Sequence, residues 1–249
     1  MFPDGAFNIK ESIVVVENKK IIAHLNNLSD AKIAEHSQRF FKTGKGEYGY
    51  GDKFLGIRVP VLRKTAKKFQ DISIKEIQGL LKSEYHEVRL LSLLIMVGQY
   101  SKGDSSVKEK IYNLYLKNTK YVNNWDLVDS SAHYIIGSWL IDKDRSILYE
   151  FVNSKNLWQR RIAIMSTFHF IKNNDFRDTL KLSEILINDS EDLIHKAVGW
   201  MLREVGKKNL TTEREFLDSH AHEMPRTMLR YSIEKFPEKI RQEYLVQKP

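Results

Sequence analysis

One recurrence constrains this chain more than any other feature. Apolar stretches that each follow a polar break return along its length: EVRLLSLLIM from Glu87, RRIAIMSTF from Arg160, HKAVGWML from His195 and MLRYSIEKF from Met228. Each carries a basic residue about one turn in, namely Arg89, Arg161, Lys196 and Arg230. A fifth stretch, LVDSSAHYII from Leu127, fits the same frame with Asp129 in the basic slot. The steps between these positions are 40, 32, 35 and 34 residues. Repeats of that length are the helix pairs of α-solenoids, which bury their apolar faces only by stacking. The expected fold is therefore all-α, with HEAT-like helical repeats stacked into a curved superhelix over residues 1–249 as a single domain. Stacking sets equivalent positions side by side, so the recurring cations would form a basic stripe on the concave face, interrupted by one carboxylate. Cations near a helix start are mildly unfavourable for the helix itself, which favours a binding role for them.

The rest of the chain agrees with a helical reading. Five prolines and twelve glycines leave few breaks. Apolar spacing predicts helices over 30–41, 73–81, 85–100, 106–117, 125–141, 155–172, 178–188, 191–207, 211–220 and 225–236. The one run that tempts a strand assignment is SIVVVE, Ser12 to Glu17. Net charge is +8 with a pI near 9.4, which favours a polyanionic partner because each neutralised phosphate releases counterions. There are no cysteines, so thiol nucleophiles, disulfides and cysteine-held metals are excluded. Residues 1–20 lack the pattern of a signal peptide, and the longest apolar run falls short of a bilayer span. A cytoplasmic, nucleoid-associated protein of bacterial type is expected.

Two motifs invite chemical readings. Gly44 to Gly49 matches GxGxxG literally, but no strand precedes it and no βαβ frame surrounds it, so a dinucleotide site is rejected. The wider glycine-rich segment leads past Pro60 into a helix carrying Arg63, Lys64, Lys67 and Lys68. Those cations could hold phosphate or merely form a solvated basic face. In NNWDLVDSSAHYIIGSW, from Asn123, Trp125 and Asp129 lie four residues apart on one helical face. Trp200 follows Lys196 at the same spacing. A core tryptophan beside a surface acid is the plain alternative, although Asp129 interrupts an otherwise basic series. The eight histidines are scattered, with no metal-ligand or triad spacing, so neither metal nor cofactor is expected.

Four spaced blocks in order carry a resemblance: YGYGDKFLGIRVPVLR from Tyr48, NNWDLVDSSA from Asn123, NLWQRRIAI from Asn156 and IHKAVGWMLREVGK from Ile194. Over roughly Ile33 to Phe236 the chain resembles the HEAT-like alkylpurine glycosylases of the DNA alkylation repair (AlkD) family. The resemblance implies a concave face that grips duplex DNA and a catalytic set of Trp125, Asp129 and Trp200. It also implies DNA contacts by Arg161 and Arg203, with Lys196, Arg89 and Arg230 as further basic positions. It departs at Leu193, near which the family often places a large aromatic.

The implied chemistry is hydrolysis of the N-glycosidic bond of a cationic N3- or N7-alkylpurine. Such a base already leaves well, so a catalyst mainly needs a carboxylate and ring faces beside an oxocarbenium-like sugar. Arg161 would hold a neighbouring phosphate and keep Asp129 ionised. The resemblance also implies that the base stays in the duplex, where most base-processing enzymes flip it out. A monomer suffices for such a groove. Two other readings stay open: a DNA-binding or DNA-structure-sensing relative without catalysis, and a HEAT-type scaffold for protein partners.

Overall fold

The computed structural model describes residues 9–246. Every regular element among them is helical, apart from one isolated bridge between Lys53 and Tyr85. The chain forms two compact units, one ending at Leu127 and one beginning at Val128.

The first unit holds α1 (Ile9–Asn26), α2 (Ala31–Phe40), α3 (Val59–Lys68), α4 (Ile74–Leu81), α5 (His86–Lys102) and α6 (Ser105–Lys117). The SIVVVE run lies inside α1, so helical context overrides its β-branched preference there. Helix starts follow capping rules. The Asp30 carboxylate accepts from the Lys32 and Ile33 amides, and Ser73 with Glu76 forms a reciprocal capping box. α5 is the spine of this unit: α3, α4 and α6 all pack on it, and it is buried from Val88 to Met96. A long loop separates α2 from α3, and Glu87 at the start of α5 fixes its return. That carboxylate accepts from the backbone amides of Leu55, Gly56 and Ile57 at 2.9, 2.8 and 3.2 Å. Gly56 has φ +81°, and a Cβ there would sit 2.0 Å from the Asp30 carbonyl oxygen. Only glycine allows the loop to lie against the start of α2.

The short helix α7 (Trp125–Asp129) crosses from one unit to the next. The second unit continues with α8 (Ser138–Leu140), α9 (Ser146–Val152), α10 (Leu157–Lys172), α11 (Arg177–Leu186), α12 (Asp192–Lys208), α13 (Leu210–His220), α14 (Arg226–Ser232) and α15 (Glu238–Leu245). α10 packs on α9, α11 and α12, and α12 packs on α13 and α14. This is the stacked succession that a repeat predicts within a unit. The buried faces of α10 and α12 are almost wholly apolar, from Ile162 to Met165 and from Ala197 to Leu202.

The sequence predicts one helix over 125–141, and here the structure differs. After α7 the chain turns at Ser130 and Ser131, then runs as a π-helical turn, His133–Gly137, into α8. The Ser138 amide reaches back to the His133 carbonyl, five residues away. The turn packs closely on α10, where a Cβ on Gly137 would stand 2.1 Å from the Ser166 carbonyl. A π-turn changes the register of side chains on either side of it, and such bulges recur at functional positions.

Candidate functional site

In the second unit Asp129, the last residue of α7, faces α10. Arg161 of that helix donates from Nε to Asp129 Oδ1 at 2.9 Å and from Nη2 to Oδ2 at 2.8 Å. Its Nη1 donates to the backbone carbonyl of Leu193. The guanidinium is thus committed on three sides, with its side chain only 6% exposed. The Asp129 side chain keeps 17% exposure. A carboxylate so held has a fixed orientation and still reaches solvent, as a group that must meet developing positive charge requires. In this arrangement the Arg161 donors serve Asp129 and a backbone carbonyl. Leu193 contributes through its backbone carbonyl.

Trp200 lies on α12, partly exposed. Its indole N–H donates to Glu204 Oε1 at 3.0 Å, and its ring stands 6.1 Å from Phe168. Phe168 in turn meets His133 at 5.2 Å, and His133 meets the exposed Tyr134 at 3.8 Å. Lys172 sits over Phe168 and Tyr134, 4.2 and 5.7 Å from the two ring centres. The result is a partly exposed aromatic band on α10, α12 and the π-turn. Burial, then the nearby cations Lys172 and His169, push the His133 imidazole down to about 4. It is therefore neutral at physiological pH.

In the first unit Trp125 helps to line a cavity of about 520 Å³. Phe40, Phe41, Phe54 and Leu90 supply apolar wall, and Arg58, Val59 and Pro60 bring the start of α3 to it. Phe41 stacks on Trp125 with ring centres 5.3 Å apart, while Phe40 meets the indole edge-to-face at 5.9 Å. Beneath the aromatics lies an ionic group that the sequence did not announce. His86 Nδ1 contacts Asp52 Oδ2 at 2.9 Å, and its Nε2 contacts Asp126 Oδ2 at 2.8 Å. Arg89 donates to Asp52 Oδ1 at 2.5 Å. Burial alone would depress the imidazole, but the Asp126 and Asp52 carboxylates outweigh it and raise His86 to about 9. The same histidine and Arg89 hold Asp52 below the usual carboxylate range despite its burial. His86 was one scattered histidine among eight in the sequence. Its partners lie 34 and 40 residues away, beyond any local pattern.

The expected basic positions divide. Arg89 is 3% exposed and also donates to the carbonyls of Ser83 and Glu84. Its guanidinium is buried in an internal ion pair with Asp52. Lys196 is half-buried with an Asp192 partner at 2.7 Å. Arg203 is 14% exposed and paired with Glu234. Arg230 is exposed. Much of what the repeat presents as a stripe is thus ion pairing between successive repeats, as Arg161–Asp129 and the parallel pair Arg160–Asp189 show. Among the described residues no cluster of three or more candidate ligands could hold a metal ion. No helix among them is long and apolar enough to cross a membrane.

Residues 21–236 match the family described as DNA alkylation repair enzyme. A solved structure of a predicted DNA alkylation repair enzyme from Enterococcus faecalis shares the fold, with a TM-score of 0.67 at 16% identity. The alignment covers 84% of this chain and 97% of that one. No curated protein matches in sequence.

Proposed function

The chain belongs to the DNA alkylation repair enzyme family, and from that premise we propose that it is a monofunctional glycosylase for cationic N3- and N7-alkylpurines in duplex DNA. The observation that carries this reading is the Asp129 carboxylate, fixed through both oxygens by Arg161 yet open to solvent.

An N-alkylated purine bears a formal positive charge. When its C1′–N bond breaks, the electron pair goes to the base, which leaves neutral, and positive charge moves to the sugar. Asp129 stabilises that charge and orients the water that adds to C1′; the water passes one proton to bulk solvent as the new C–O bond forms. Trp125 and Trp200 offer ring faces to cationic sugar or base. A neutral leaving group needs no general acid, so one carboxylate suffices. As the resemblance implies, the enzyme works from the backbone side with the base left in the duplex. Arg161 acts here as a positioning residue for Asp129. Lys196 and Arg230, at repeat positions, and Arg203, from the resemblance, are proposed to meet phosphates.

The test is release of free base from a duplex carrying one N7-methylguanine or one N3-methyladenine, with Asp129→Asn alongside. Release by the parent and a large loss in the variant, with its fold intact, is the expected result. No release of either base, together with salt-sensitive duplex binding, would replace this reading by that of a DNA-binding protein without catalysis.

A further inference from the structure

We infer that the outer face of α3 is a second phosphate-binding surface, one that guides a DNA strand into the Trp125 cavity. This rests on the proposed reading in one respect, that the ligand is duplex DNA.

Three observations carry it. The first is the charge on α3. Its sequence, VPVLRKTAKK, contains four cations and no acid, and Arg58 precedes it. Leu62, Thr65 and Ala66 are buried, while Arg58, Arg63, Lys64, Lys67 and Lys68 are all exposed. Helical spacing sets Pro60, Arg63, Lys64 and Lys67 on the face opposite the buried one. The second is the lack of compensation. Several cations elsewhere pair with acids on their own helices, as in Arg39–Glu35, Lys196–Asp192, Lys207–Glu204 and Arg241–Glu238. Among the described residues, Arg58, Arg63, Lys64 and Lys67 have no acidic partner. Arg63 with Lys67, and Lys64 with Lys68, repel at i,i+4. A helix C-terminus accounts for Lys67 and Lys68, but Arg63 and Lys64 stand mid-helix, where the macrodipole gives no such benefit. A polyanion would relieve that repulsion.

The third is position. Pro60 lies on the cationic face and also lines the cavity that Trp125 lines, as do Arg58 and Val59. The cationic face therefore runs to the mouth of that cavity. A helix of ten residues is about 15 Å long. DNA carries one charge per roughly 3.4 Å of axis on each strand, so α3 can meet several successive phosphates. A strand held there would bring its next nucleotides to the aromatic wall.

The measurement is the salt dependence of binding to an undamaged duplex, which reads independently of base release. The variants are Arg63→Gln/Lys64→Gln/Lys67→Gln and a control with the same charge change, Lys102→Gln/Lys110→Gln/Lys117→Gln, on and beside α6. Circular dichroism confirms the fold of each. The α3 variant should bind on the order of a hundredfold more weakly at 0.1 M salt, with the slope of log K against log salt reduced by roughly 2 to 3. The control should keep the parental slope. A parental slope in the α3 variant overturns the proposal. So does an equal loss in both variants, because net charge alone would then explain the binding.

Discussion

Arg161 and Asp129 meet through two parallel hydrogen bonds, Nε to Oδ1 at 2.9 Å and Nη2 to Oδ2 at 2.8 Å, across 32 residues of chain. The pair joins α10 to the end of α7, so one contact serves packing and site orientation together. Removing one partner of a buried pair leaves the other uncompensated. Arg161→Ala should therefore destabilise the protein by about 3 kcal/mol and depress excision as well. Arg161→Lys keeps the charge but loses the fork, and should also fail to restore excision. Neither variant should change the salt slope of duplex binding, since the guanidinium does not face solvent. A slope reduced by about one would put a phosphate on Arg161 after all.

His86 predicts a pH dependence of stability. Unfolded, its imidazole titrates near 6.5, whereas the folded protein holds it at about 9 between Asp126 and Asp52. A raised value means that the stabilisation is fully present below pH 6.5 and is lost as pH rises through 9. At about 1.4 kcal/mol per pH unit, the contribution is on the order of 3 kcal/mol. Urea unfolding of the parent between pH 6 and 9.5 should show this decline, and His86→Asn should be flatter and less stable at pH 6. Parallel curves for the two proteins would remove His86 as the cause.

Glu213 on α13 predicts the opposite consequence of substitution. Its residue is 2% exposed, and its carboxylate lies so close to Gly206 that a Cβ there would collide with it. Burial pushes it up to about 8, with Arg203 offsetting part of the effect. The unfolded chain ionises near 4.5, so keeping this carboxyl neutral in the fold costs progressively more stability from pH 4.5 to 8. Glu213→Gln should therefore stabilise the protein at pH 8, by up to about 4 kcal/mol, and leave it nearly unchanged at pH 4.5. A destabilised variant at pH 8 would contradict this account.

Gly56 tests the link between the loop and the cavity. Gly56→Ala must adopt φ near +81° and press a methyl against the Asp30 carbonyl. The left-handed conformation alone costs about 1–2 kcal/mol, and the collision adds to it. The first unit should lose stability, and the emission of Trp125 should shift as Val59 and Pro60 move from the cavity wall. A variant as stable as the parent would show that the loop relaxes freely around this position.

The sequence by itself determined the class of fold and the candidate chemistry. Apolar spacing of 3.6 and a repeat near 35 residues are local or quasi-local signals, and stacked helices such as α10 and α12 follow from them directly. Trp125, Asp129 and Trp200 could be put forward from the sequence because their blocks can be read one segment at a time. Only the tertiary structure decided what the charges do. Arg89 and Arg161 looked like a binding stripe because a periodic cation reads alike whether it faces solvent or an acid in the next repeat. Stacking turned them inward, to Asp52 and to Asp129. His86 gained its two carboxylates, and Trp125 its cavity, only when α5 met a loop that Glu87 folds back through three amides. The π-turn at His133–Gly137, close against Ser166, was likewise not visible in the local pattern. The repeat shows which charged positions recur but not which of them pair, because their meeting depends on how helices pack and not on any property of the segment that carries them.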